Sequence, residues 1–156
     1  MTTPSRPSAL LLRRLGAALY DALIGAGLIM GVGLLFTGIM GGATDDLRGP
    51  GPAGQGLILT AIVAVLVAYF VVSWSRGGQT VGMRPWRLKV VAADGGAVSP
   101  RAATIRLGAA LLSWAPGGLG FWWALADPER LTWHDRLSDT RLVRLPKAGS
   151  THARKQ

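Results

Sequence analysis

Residues 57–74 (LILTAIVAVLVAYFVVSW) run eighteen positions without a charge. Wound as an α-helix, that run is about 27 Å long, against a hydrocarbon core of roughly 30 Å. A soluble helical bundle does not need so long an apolar stretch, and 49% apolar residues with a positive mean hydropathy point the same way. The chain is therefore expected to be a membrane protein with this run as one of its spans. At 156 residues it suits a single domain.

A second apolar run, residues 13–37 (RRLGAALYDALIGAGLIMGVGLLFT), has an acid inside it, Asp21. A carboxylate near the bilayer centre costs roughly 2.5–3.5 kcal/mol on insertion scales, so such residues face protein or water and not lipid. Seven residues separate Arg14 from Asp21, nearly two full helical turns, which places both side chains on one stripe. Ala17, Ala18 and Gly25 fall close to that stripe, and Gly27 with Gly31 forms a small-xxx-small pair on a neighbouring face. Helix one is predicted to be polar and close-packing on one side and greasy on the other, with positive charge holding Asp21 in place.

The formal charge of +9 raises the question of nucleic acid, but no recognisable nucleic-acid motif accompanies it. Basic residues flank the greasy segments instead: Arg6, Arg13 and Arg14 before the first, Arg48 between the two, and six after the second up to Arg106. The positive-inside rule then puts the N-terminus in the cytoplasm and the loop at 44–55 outside. With no cysteine there is no disulfide framework and no thiolate metal site. A cleaved signal peptide has an apolar core of only about 7–15 residues; the first run is longer and carries an acid, so it is expected to stay attached as an anchor.

Residues 84–91 nearly alternate basic and apolar, and Asp94-Gly95-Gly96 supplies a turn, which predicts a short basic strand or hairpin at the cytoplasmic surface. Residues 140–145 also alternate and are expected to pair with 88–91. Ser99-Pro100 reads as a helix start, Ser as N-cap and Pro at the first helical position. Thr132-x-x-Asp135 reads as a capping box, which by itself explains Asp135 structurally. Residues 107–126 are long enough to span, yet Pro116-Gly117-Gly118 sits in the middle. A single span would export a strongly basic tail, so two half-helices forming a re-entrant hairpin are preferred to one kinked span. The resulting fold class is an all-α membrane protein: two spanning helices, a third hydrophobic segment re-entrant or broken at 116–118, and a small cytoplasmic β element. Its parts are a polar segment at 1–12, with 1–8 expected to be disordered or to lie on the membrane surface, a transmembrane domain at 13–145, and a basic disordered tail at 146–156 suited to anionic lipid.

RRLGAALYD near the start, GGQTVGMRPWRLKVVAADGGAVSPRAATIR in the middle and LTWHDRLSDTRLV near the end resemble, in that order, the RDD family of small bacterial membrane proteins. The resemblance covers residues 13–143. The arginine and two aspartates that give the family its name match Arg14, Asp21 and Asp135, and Gln79-Thr80 with Gly82 matches the middle motif. The family usually has a lysine where this chain has Met83, and Arg84 follows one residue later. Membership implies a multi-pass protein of the bacterial inner membrane and a transport function, including cation/proton exchange in some members.

Two functions follow as expectations. The first is a transporter subunit, in oligomeric form because so few helices scarcely enclose a pathway. Asp21, Arg14 and Asp135 would bind the ion or substrate, supported by Gln79, Thr80 and Arg106. The second is a non-transporting scaffold or assembly factor, in which the same residues fix helix register and a basic face recruits a partner or lipid. No catalysis is expected: neither histidine has metal-ligand spacing, no nucleophile elbow surrounds Ser73, Ser75 or Ser113, and His134 and Asp135 would point about 100° apart on a helix. No cofactor and no metal is implied, and the partners expected are the bilayer, anionic lipid and further copies of the chain.

Overall fold

A computed structural model describes residues 7–40, 50–114, 117–129 and 131–146. Of the outside loop expected at 44–55, residues 44–49 lie outside the described residues and 52–55 instead form the first turn of a helix; the N-terminal residues 1–6, Pro116 and the basic tail beyond 146 also lie outside the described residues.

Two long helices dominate, α1 (Pro7–Met40) and α2 (Pro52–Gly77). Both are long and apolar enough to cross a membrane. A core helix of a soluble protein would bury its apolar window, but Leu23, Leu34 and Leu59 are 65%, 68% and 62% exposed, and so are many of their neighbours. Surface this greasy requires lipid or protein to cover it. Helix α1 begins at Pro7, ahead of the arginine pair from which the span was read, because Leu10 and Leu11 continue the apolar pattern and Leu11 is buried.

Helix α2 ends at Gly78, whose φ of 70° is open to glycine at little cost and whose N–H caps the Trp74 carbonyl. A Cβ there would also meet the Val90 carbonyl at 2.5 Å, so the same residue lets the following strand approach. Residues 80–87 form successive turns before β1 (Leu88–Ala92). Helix α3 (Pro100–Trp114) starts as the sequence predicts, with Ser99 Oγ accepting from the Ala102 N–H at 3.1 Å. Left-handed Gly117 and Gly118 then interrupt the third apolar segment, and α4 (Leu119–Ala126) follows. It packs against α3 so closely that a Cβ on Gly120 would lie 2.5 Å from that of Ser113. The third segment is thus two helices and not one.

Helix α5 (Trp133–Leu137) opens on the predicted capping box: Thr132 Oγ1 accepts from the Asp135 N–H while Asp135 accepts from the Thr132 N–H. Strand β2 (Thr140–Arg144) pairs antiparallel with β1, Leu88 opposite Arg144 and Ala92 opposite Thr140, as the alternation at 140–145 implied. Burial at Leu88 and Val90 follows the period-two rule, and these residues join Ala17, Trp74, Met83, Val98 and Ala103 in the core. That core therefore sits at one end of the molecule, where the first turns of α1 meet the last turns of α2 under the two-stranded sheet, whose strands are joined through α3, α4 and α5 and do not form a hairpin.

Trp86, in the turns before β1, lies on Gly16 of α1; a Cβ at Gly16 would come within 2.3 Å of the indole. Overpacking of this kind costs about 1–3 kcal/mol. Gly16→Ala is expected to lower the thermal midpoint in detergent and to change tryptophan fluorescence as the indole is displaced. An unchanged midpoint and spectrum would show that the indole is not seated there.

Candidate functional site

The stripe predicted on α1 is real. Arg14, Ala17, Asp21 and Gly25 are its inward face, and Arg14 and Asp21 both line a cavity of about 320 Å³ between α1, α2 and α3. The two acids nevertheless sit in two different clusters.

Among the described residues Asp21 receives three hydrogen bonds, all from uncharged groups. Tyr69 Oη donates to Oδ1 at 2.7 Å, the Gly82 N–H to the same oxygen at 2.9 Å, and Thr80 Oγ1 to Oδ2 at 2.6 Å. This departs from the expectation that positive charge would hold the carboxylate. The reason is local: after α2 ends at Gly78, the turns at 80–83 bring Thr80 and the Gly82 amide across to α1, and Gly82 alone fits, since a Cβ there would lie 2.6 Å from Asp21 Oδ1 and from the Ala17 carbonyl. Gln79, expected as a supporting residue, points the other way and donates to the Leu88 carbonyl at 2.6 Å, fixing β1 to the end of α2. Met83 is buried and lines the cavity near Asp21, whereas Arg84 is exposed, so Arg84 does not restore a buried cation at the position where a lysine was expected.

Asp135 is fully buried and takes up both nearby guanidiniums. Arg14 Nη1 lies 3.0 Å from Oδ2 and Arg106 Nη1 2.6 Å from Oδ1. Arg106 Nη1 also donates to Thr140 Oγ1 at 2.6 Å, and its guanidinium carbon stands 5.4 Å above the Trp74 ring. One carboxylate thereby joins α1, α3, α5 and β2, with α2 reached through the indole. Burial by itself pushes the Asp135 carboxyl up, but Arg106 and Arg14 outweigh it and hold the group well below the usual carboxylate range. Burial, and then Arg106, push the adjacent His134 imidazole down from 6.5 to about 3, against the pull of Asp135, so it is neutral at physiological pH.

Sequence reasoning found both acids, both arginines and Thr80. It missed Tyr69, Gly82 as an amide donor, Trp74 and Thr140. A usable signal existed for the first: within 57–74 only Thr60, Tyr69, Ser73 and Trp74 carry a polar side-chain atom, and of these Tyr69 reaches furthest.

The family model of the RDD family matches residues 8–139. No curated protein and no solved structure matches the chain.

Proposed function

Since the chain belongs to the RDD family of membrane proteins, we propose that it is a transporter subunit of the bacterial plasma membrane, exchanging a cation for protons at Asp21. The observation that carries this reading is that Asp21 lines an open cavity and is held by two hydroxyls and an amide. A hydroxyl both donates and accepts. When the carboxylate is ionised, Tyr69 and Thr80 donate to it. When it is protonated, the proton sits on Oδ2, the oxygen served by Thr80 alone, and Thr80 turns to accept. Gly82 has only a donor and keeps Oδ1 in both states, so the 79–83 turn stays docked while the charge changes. The Arg14–Asp135–Arg106 cluster, in this reading, orients α1 and α3 around the cavity and binds no ion itself.

The orientation follows from charge. Exposed Arg84, Arg101, Arg141 and Arg144 cluster with the two-stranded sheet, favouring a cytoplasmic sheet and N-terminus and contact with anionic lipid. Helices α3 and α4, broken at Gly117 and Gly118, form a re-entrant pair that returns the tail to that same side. Retention of α1 as an anchor is supported by Arg14 and Asp21, whose partners lie on α5 and in the 80–82 turn. So few spans call for several copies, and Gly27 and Gly31, with open space before them, suit close helix approach. No residue is assigned a catalytic, cofactor or metal role.

Proton-coupled uptake of sodium or potassium by proteoliposomes tests the reading. Asp21→Asn, which preserves shape, is expected to reduce flux to that of empty liposomes; undiminished flux in this variant removes Asp21 as the carrier. A scaffold is the second reading, favoured by the sealed Asp135 cluster, and it gains if the intact protein moves neither ion.

A further inference from the structure

Two cavities follow one another along the inward stripe of α1. One is the cavity of Asp21, of about 320 Å³; the other is a crevice of about 600 Å³ lined from α1, α5 and β2. The turns of the helix fix their order: Leu10 lines the crevice, Arg14 lines both, and Ala17, Ala18 and Asp21 line the cavity. Leu142 of β2 is the other residue common to the two. Arg14, held 3.0 Å from buried Asp135, and half-buried Leu142 therefore form the partition between crevice and cavity.

The two sides of that partition differ in kind. Glu129, Arg136, Asp139 and Arg141 line the crevice and are all exposed, so water fills it. The far wall of the cavity is Ala22, Phe70 and Leu111, and a charged species entering through it would first cross hydrocarbon, at a cost no proton or cation carrier tolerates. The ion pair, in contrast, can part without stranding its acid. Arg14 shares Asp135 Oδ2 with the Thr132 N–H, which donates at 3.0 Å, while Oδ1 is held by Arg106 at 2.6 Å. If Arg14 swings away, the carboxylate keeps a cation and an amide, and the guanidinium, turned into the crevice, finds the acids Glu129 and Asp139 on its lining. Breaking a buried pair is most costly where it leaves an uncompensated charge, and this one leaves none on Asp135.

We propose that the crevice is the aqueous vestibule of the Asp21 cavity and that Arg14, leaving Asp135 Oδ2 together with a shift of Leu142, is the gate between them. Arg106 stays on Asp135 through the movement and keeps α3 and α5 joined. The gate gives the proposed carrier its water and so rests on the transport reading, but it is tested by accessibility, which needs no flux.

The full chain has no cysteine, so single cysteines report without background. Ala93→Cys at the crevice and Ala18→Cys in the cavity are each reacted with a membrane-impermeant trimethylammonium methanethiosulfonate in sealed membrane vesicles, oriented so that Ala93→Cys reacts. From that same side Ala18→Cys is expected to react too, more slowly. Leu142→Ala, in a strand that stays paired through Val90, is expected to speed the Ala18→Cys reaction about tenfold and Leu142→Phe to slow it about as much, roughly 1.4 kcal/mol either way in the cost of opening, with the Ala93→Cys rate unmoved. An Ala18→Cys that stays inert from the crevice side even with Leu142→Ala overturns the proposal, as do rates that neither substitution moves. Should Leu142→Ala fail to fold, the slowing by Leu142→Phe decides alone. Gated labelling in a protein that carries no ion supports the vestibule and removes the transport reading; flux with Ala18→Cys inert removes the gate and leaves that reading standing.

Discussion

Asp135→Asn is expected to destabilise the protein by roughly 3–5 kcal/mol, the range for removing one partner of a buried ion pair. The native carboxylate is fully buried and faces Arg106 at 2.6 Å and Arg14 at 3.0 Å. An amide of the same shape keeps the helix cap partly intact but leaves two guanidiniums, each less than 10% exposed, with no negative charge between them. Their mutual repulsion then acts on α1 and α3, the very elements the carboxylate joins. Unfolding by denaturing detergent should therefore need much less denaturant, and much of the expressed protein should aggregate. Because the loss comes from the stranded cations, Arg14→Met in the same chain should restore part of it, and the double-mutant cycle should show strong coupling. A variant within 1 kcal/mol of the parent would mean that the trio is not buried as described.

The second large effect is a fall in stability with acid, set by His134. Its imidazole titrates near 6.5 when unfolded and about 3 when folded, lowered first by burial and then by Arg106, with Arg14 adding and Asp135 opposing. Between those two values the unfolded chain binds the proton and the folded chain does not. Stability from this group is thus complete above pH 6.5 and is lost progressively as pH falls toward 3, by a few kcal/mol in all. Asp135 adds its own loss only at lower pH: its folded carboxyl titrates below the unfolded 3.8, so its contribution is present above that value and disappears beneath it. Thermal midpoints in detergent from pH 7 to 4 should fall steadily, and His134→Asn should flatten the slope. A slope unchanged in that variant would assign the acid sensitivity elsewhere.

Much of this was legible before any coordinates. Ser99 and Thr132 cap their helices, and 140–145 pairs with 88–91, because caps and alternation are decided by residues within a few positions of each other. Gly117 and Gly118 break the third segment for the same reason, since positive φ is a local property. Arg14 and Asp21 share a stripe because seven residues make nearly two turns of any α-helix. The pairing of charges was a different matter. Arg14 was expected beside Asp21 and reaches Asp135 near the other end of the chain, while Asp21 is served by Tyr69, Thr80 and Gly82, 48, 59 and 61 residues away.

By itself the sequence determined the membrane-spanning character, the caps of α3 and α5, the strand pairing and the identity of the two acids of the site, all consequences of apolar run length and short-range backbone chemistry. Only the tertiary structure decided that one acid is bound by two guanidiniums and the other by neutral donors. Which groups meet in a buried site depends on how α2, the 79–83 turn and α5 pack on α1, and no local rule carries that distance.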